Sequence, residues 1–231
     1  MDLKHADAIL IMGSNMAECH PVGFRFVMQA KLQGAKVLHV DPRFTRTSAM
    51  ADVYAPLRAG TDIVFLGGLI HQILERDAWF QEYVLAYTNA STLITEEYRD
   101  AEDLEGVFSG FDEAGRKYDP RSWRYDAEPI QHGAVPPGLA AHVDQARQRI
   151  GRPRTDPTLQ HPRCVFQILK RHYARYTPEL VEAVCGTPRA TFLKVADALI
   201  ENSGPDKTAA ICYAVGWTQH TTGVQTIRAA T

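Results

Sequence analysis

Ala8–Thr47, AILIMGSNMAECHPVGFRFVMQAKLQGAKVLHVDPRFTRT, decides the fold. Ala8-Ile9-Leu10-Ile11-Met12 is an apolar run long enough for a buried strand. Gly13-Ser14-Asn15 breaks it, and a helical pattern follows with Phe24, Val27, Met28 and Leu32 at spacings of three and four. Gly34 stands where a helix end wants a residue that tolerates positive φ. A second run, Val37-Leu38-His39-Val40, leads into Asp41-Pro42-Arg43. Strand, glycine turn, helix, glycine, strand and acid make a βαβ unit of roughly 30 residues or more. Ligands of such units collect at the carboxyl ends of the parallel strands, so Gly13–His20 and Asp41–Arg46 should face one crevice.

Outward from this unit the pattern continues. Asp52–Leu57 is a short strand candidate. Arg58–Asp62 is a turn whose Thr61 or Asp62 can cap the next helix, Ile63–Glu75, which is apolar on most sides and expected to be buried. A second helix is expected over Ala78–Tyr87. From Glu96 to Glu105 the chain turns acidic and reads as solvated. Gly110–Tyr125 mixes turn residues with aromatics, and Ala127–Pro162 is rich in Pro, Gly, Arg, Gln and His and poor in apolar residues. Residues 96–162 therefore read as a loop-rich insertion. Helices return at Cys164–Arg175, after Thr177-Pro178-Glu179 (cap, first-turn proline, acid) and after Thr187-Pro188-Arg189. Thr208–Val215 is a third buried strand candidate, again followed by glycine at Gly216. The expected fold class is α/β: a Rossmann-like parallel sheet with helices on both faces, and a long irregular insertion. The domains divide as 1–95, 96–162 and 163–231, the first and last belonging to one dinucleotide-binding domain.

The 231 residues suffice for one or two domains, and 45% hydrophobic with 23% charged residues is ordinary for a globular chain. The formal net charge of -2 carries no nucleic-acid footprint. No apolar run approaches the ~18 residues of a membrane helix. Met1–His5 has neither the n-region nor the h-region of a signal peptide. Cys19, Cys164, Cys185 and Cys212 include no CxxC pair, which argues against zinc or iron–sulfur ligation by this chain. They read as small buried apolar residues, except Cys19 in the proposed crevice. The first strand starts within ten residues of Met1, and Gly223–Thr231 reads as a helix that stops without a cap; both ends look cut.

Three strands thus end in polar, glycine-containing turns that converge in an open parallel sheet. Gly13 and Gly216 allow close approach of a ligand to the backbone. Asn15, Glu18 and His20 offer donors and acceptors. Asp41, at the end of the second strand, can bind ribose hydroxyls or the N1/N2 edge of a guanine, and Arg43 can pair with a phosphate. Asp62, after Gly60, is a second such carboxylate. The bland readings are a turn residue for Asp41 and a helix cap for Asp62. The turn is not GxGxxG, which disfavours a nicotinamide cofactor.

The strings GSNMAECHPVGFRF (Gly13–Phe26) and VDPRFTRTSAMADVYAPLRAGTD (Val40–Asp62) resemble the catalytic subunit of formate dehydrogenases of the respiratory type, members of the molybdopterin oxidoreductases. The likeness extends through HPRCVFQILK, RYTPELVEAVCGTP and YAVGWTQHTTGVQTIR, and weakens only over about Gly133–Arg154. It implies a portion of a several-fold longer subunit. It implies, too, a molybdenum or tungsten centre held by two pterin-guanine dinucleotides, one cradled by Gly13, Asn15, Glu18, Asp41, Arg43, Asp62 and Gln219, with Gly60 and Gly216 in the same turns. Arg228, in GVQTIR, matches the segment that bears the family's active-site arginine. A fixed guanidinium there can take formate by a two-pronged contact and orient its C–H bond toward the metal. His20 and His220 can contact cofactor or substrate, but the proton-accepting histidine of the family follows a metal-binding selenocysteine or cysteine that lies upstream of this portion. The [4Fe-4S] cluster belongs to the missing N-terminal part, and no residue here is expected to ligate metal. The implied activity is formate oxidation to carbon dioxide in anaerobic respiration. The implied partners are formate, an iron–sulfur beta subunit and a membrane cytochrome gamma subunit, with no nucleic acid and no membrane insertion. The implied location is the periplasmic side of the inner membrane after twin-arginine export, with the cytoplasm as the alternative. Two other functions stay open: a related oxidoreductase for nitrate or thiosulfate, and a non-catalytic guanine-nucleotide-binding module.

Overall fold

A computed structural model describes residues 2–128 and 152–231. The unfamiliar stretch Gly133–Arg154 lies outside the described residues up to residue 151. There are two compact units, Met1–Phe80 with Tyr173–Thr231, and Gln81–His172.

The first unit is built on one parallel sheet of β1 (Ala8–Met12), β2 (Lys36–Val40), β3 (Val53–Ala55) and β4 (Ala209–Tyr213), in the order β3-β2-β1-β4. Its helices are α1 (Met16–Cys19), α2 (Pro21–Leu32), α3 (Arg46–Met50), α4 (Asp62–Glu75), α5 (Pro178–Cys185), α6 (Arg189–Glu201), α7 (Val215–Thr218) and α8 (Gly223–Ala230). Alternate residues of the strands serve opposite faces. Leu10, Met12, Leu38 and Val40 meet Phe65, Leu66 and Leu69 of α4, Val181 of α5 and Phe192 and Val195 of α6. Ile9, Ile11 and Val37 meet Phe24, Val27 and Ala30 of α2. Every residue of β1 is buried, because it has a strand on each side and helices on both faces. Burial of large side chains such as Phe65 and Phe192, which meet edge to face at 5.2 Å, stabilises the unit by about 1.5–3 kcal/mol each.

Local chemistry sets the ends of the elements. Thr177 Oγ1 accepts the Leu180 N–H at 3.3 Å, Pro178 opens α5, and Gly186 closes it at φ +71°. Thr187 departs from the expected cap of α6: it is buried, and its hydroxyl donates to the Pro56 carbonyl at 2.5 Å. Leu32 shares the helical spacing of Phe24, Val27 and Met28 but is 85% exposed. It sits at the last position of the helix, where the buried stripe has already passed to Ala30. β4 differs as well. Among the described residues it pairs with β1 alone and lies at the edge of the sheet, and Tyr213 at its end is 43% exposed.

In the second unit the helix expected from Ala78 begins at Gln81, runs to Tyr87 and buries none of its residues. Short antiparallel pairs join Phe111–Asp112 to Lys117–Tyr118 and Ala127–Glu128 to Arg152–Pro153. The acidic stretch is less solvated than its composition suggests. Asp100 is buried and accepts from Arg171 at 2.8 Å, and Arg171 also holds Asp103.

Candidate functional site

The chain runs β1-β2-β3 to one side and returns with β4 on the other side of β1. The carboxyl ends of β1 and β4 are therefore the point where the strand order reverses. There the two glycine turns touch: the Gly216 N–H donates to the Gly13 carbonyl at 3.0 Å. A Cβ on Gly216 would lie 2.6 Å from the Gly13 oxygen and 2.7 Å from its Cα. A Cβ on Gly13 (φ +65°) would lie 2.8 Å from Trp217 Cδ1. The space that both glycines leave open is filled by the opposite turn, so each lets the other turn approach.

The first turn is stapled to the segment after β2. His39, buried at the end of β2, donates from Nε2 to the Ser14 carbonyl at 3.2 Å and accepts from the Ser48 hydroxyl at Nδ1, 2.8 Å. Burial lowers its pKa below the ordinary value, outweighing Asp41, whose Oδ2 lies 4.0 Å from Nε2; the ring is the neutral linker that this bonding needs. Thr47 Oγ1 accepts the Ala17 N–H at 3.0 Å and donates to Asn15 Oδ1 at 3.1 Å. The Asn15 amide donates to Glu18, which pairs with Arg46 Nε at 3.2 Å. Asn15 and Glu18 therefore already have protein partners across the crevice wall.

Asp41 begins an Asx turn in which Oδ1 accepts the Arg43 N–H at 2.9 Å, and Tyr54 donates to the Asp41 carbonyl at 3.0 Å. Asp62, in the first turn of α4, is buried, and its Oδ1 accepts from Trp217 Nε1 at 3.1 Å. Burial raises its pKa above the usual carboxylate value; Trp217 and the charge of His220 pull it back, and Asp41 pushes it up again. Asp41, Asp62, Trp217 and His220 thus form one electrostatic neighbourhood. Trp217 itself is buried and stacked on Tyr213, with centroids 4.9 Å apart and planes at 17°.

The remaining sequence candidates lie on the outside. Gly60 (φ +84°) faces open space. His20, Arg43, Gln219 and Arg228 are exposed, and among the described residues none of their side chains makes a hydrogen bond or ion pair. Arg228 is on α8, which packs against α4 and is tied to the crevice by the Gly223 N–H on the His220 carbonyl at 3.0 Å. Cys19 is exposed, and burial raises the thiols of Cys164, Cys185 and Cys212. Sequence reasoning missed the site roles of His39, Thr47, Ser48 and Trp217. An indole next to a strand-ending glycine was the signal for Trp217; the other three are scaffold contacts that carry no motif. Among the described residues no helix is long and apolar enough to cross a membrane, and no three His, Cys, Asp or Glu side chains group as a metal site.

Residues 1–231 match the molybdopterin oxidoreductase family. The formate dehydrogenase subunit alpha of Megalodesulfovibrio gigas is 48% identical over 229 residues, covering 99% of this chain and 20% of that protein. The formate dehydrogenase-O major subunit of Escherichia coli (strain K12) is also 48% identical over 229 residues, with the same two coverages of 99% and 20%. Among solved structures, acetylene hydratase from Pelobacter acetylenicus shares the fold with a TM-score of 0.56 at 18% identity, covering 98% of this chain and 20% of that one. The chain spans about a fifth of the length of these relatives.

Proposed function

Because the chain belongs to the molybdopterin oxidoreductase family, we propose that it is a portion of a formate dehydrogenase catalytic subunit, supplying one dinucleotide cradle and a substrate-binding arginine. The observation that carries this is 48% identity to formate dehydrogenase subunits across 99% of the chain.

The donor set at the switch point fits a pterin-guanine dinucleotide. Asp41 and Asp62 are acceptors for guanine or ribose donors, Arg43 at the rim suits a phosphate, and the space over Gly60 is open. Asp62 is a buried carboxylate kept at an electrostatic cost, and a ligand that donates to it would offset that cost. Asn15 and Glu18 act on the cradle by holding its wall, and Gly60, Gly216, His20 and Gln219 border it. The bound group would carry the molybdenum or tungsten centre that accepts two electrons from formate. Arg228 binds the formate carboxylate with two parallel N–H bonds and turns its C–H bond toward that centre. A [4Fe-4S] cluster, beta and gamma partner subunits and a periplasmic position would belong to the whole enzyme.

The test is turnover by the full-length polypeptide assembled with its cofactor. Formate, and neither nitrate nor thiosulfate, should be its substrate. Arg228→Lys, which keeps the charge and loses the planar fork, should lower kcat/KM for formate by on the order of 100-fold. Turnover of nitrate instead of formate would overturn the assignment, and an unchanged kcat/KM would remove Arg228 from the site.

A further inference from the structure

We propose that Phe44 is the platform on which the purine base stacks while Asp41 reads the edge of that base; this rests on the dinucleotide reading above. Three groups of different chemistry stand in four consecutive residues, Asp41–Phe44, and each has unused capacity. Asp41 spends Oδ1 on the Arg43 N–H, and its Oδ2 has no hydrogen bond among the described residues. The Arg43 guanidinium has no partner among the described residues. Phe44 is 67% exposed.

A singly exposed apolar side chain is ordinary. Phe44 differs in how firmly it is held out. Its ring meets Tyr54 edge to face, with centroids 5.2 Å apart and planes at 84°. Tyr54 is fixed in turn by its hydrogen bond to the Asp41 carbonyl at 3.0 Å. On the other side the Thr45 N–H donates to Ser48 Oγ at 2.8 Å, so the loop is pinned at both ends of the phenylalanine. The ring cannot fold onto the sheet without breaking these contacts, and it stays exposed on the same loop as the carboxylate, three residues from Asp41.

A guanine that donates N1–H and N2–H to a carboxylate does so in its own plane, which leaves its face free for an aromatic ring. Adenine would set its N1 lone pair against the same carboxylate, so the loop selects guanine. The phosphate then has Arg43 within the same loop.

The experiment is calorimetric titration of the chain with GDP, ADP and inorganic pyrophosphate, for the native protein, Phe44→Ala and Phe44→Trp. Native protein should bind GDP more tightly than ADP. Phe44→Ala should weaken GDP roughly five- to hundredfold, Phe44→Trp should restore it, and pyrophosphate should bind all three equally. Melting temperatures should fall by no more than about 5 °C, because Phe44→Ala gives up the edge contact with Tyr54 and little other burial. GDP binding that survives Phe44→Ala, or that Phe44→Trp fails to restore, overturns the stack alone. No GDP binding by the native chain overturns the dinucleotide reading and the stack with it.

Discussion

Gly216→Ala isolates the contact between the two glycine turns. Gly216 has no positive φ, so alanine there brings no backbone strain and only a methyl group. That methyl would lie 2.6 Å from the Gly13 oxygen, 2.7 Å from its Cα and 2.9 Å from its carbonyl carbon, all backbone atoms that cannot rotate away. The turns must separate, which costs about 1–3 kcal/mol as overpacking. The 3.0 Å bond from the Gly216 N–H to the Gly13 carbonyl weakens with them, for about a further 0.5–1.5 kcal/mol. The sum, about 2–4 kcal/mol, corresponds to a fall in Tm of roughly 5–15 °C for a chain of this size. Gly60→Ala is the control. Its φ of +84° brings strain of about 1–2 kcal/mol, but nothing lies within 4 Å of the new methyl. Differential scanning calorimetry of both variants gives the ordering. A Gly216→Ala chain that melts with the native protein, or above Gly60→Ala, would refute the account of the switch point.

Two further variants probe the titrating groups. Burial raises the Asp62 pKa, so its ionised form costs stability above the folded value; the cost fades as pH falls through that value and is gone below the ordinary 3.8. Asp62→Asn keeps an acceptor for Trp217, so at neutral pH it should melt no lower than the native chain, with the difference shrinking in acid; a clear loss at neutral pH would show that the carboxylate is net stabilising. For His39 the sign is opposite, because burial lowers a base: its contribution is full above the ordinary 6.5 and is lost as pH falls from there toward the depressed folded value. His39→Gln should therefore show a flatter decline in urea stability from about pH 7 to about pH 5 than the native chain, and equal slopes would contradict the neutral-linker role.

Much of the fold was legible because its signals are local. The apolar run of β1, the helical spacing of Phe24 and Val27, the positive-φ glycine after α2 and the Thr177-Pro178 cap each act within a few residues of where they are read. The motif strings pointed to the family for the same reason, being contiguous. The acidic composition of 96–105 could not reveal that Asp100 is buried against Arg171, 71 residues away. Nor could the apolar run of β4 tell an edge strand from a central one, since that depends on which neighbours pair with it.

By itself, the sequence determined the βαβ order, the glycines at the strand ends and the candidate carboxylates. Only the tertiary structure decided what those residues do for one another. Gly13 and Gly216 proved to be each other's clearance, His39 a buried link between two walls, and Asp62 a carboxylate raised by burial and tied to Trp217 across 155 residues. Periodicity and propensity are written along the chain. Desolvation and close approach exist only when distant segments exclude water from the same small volume.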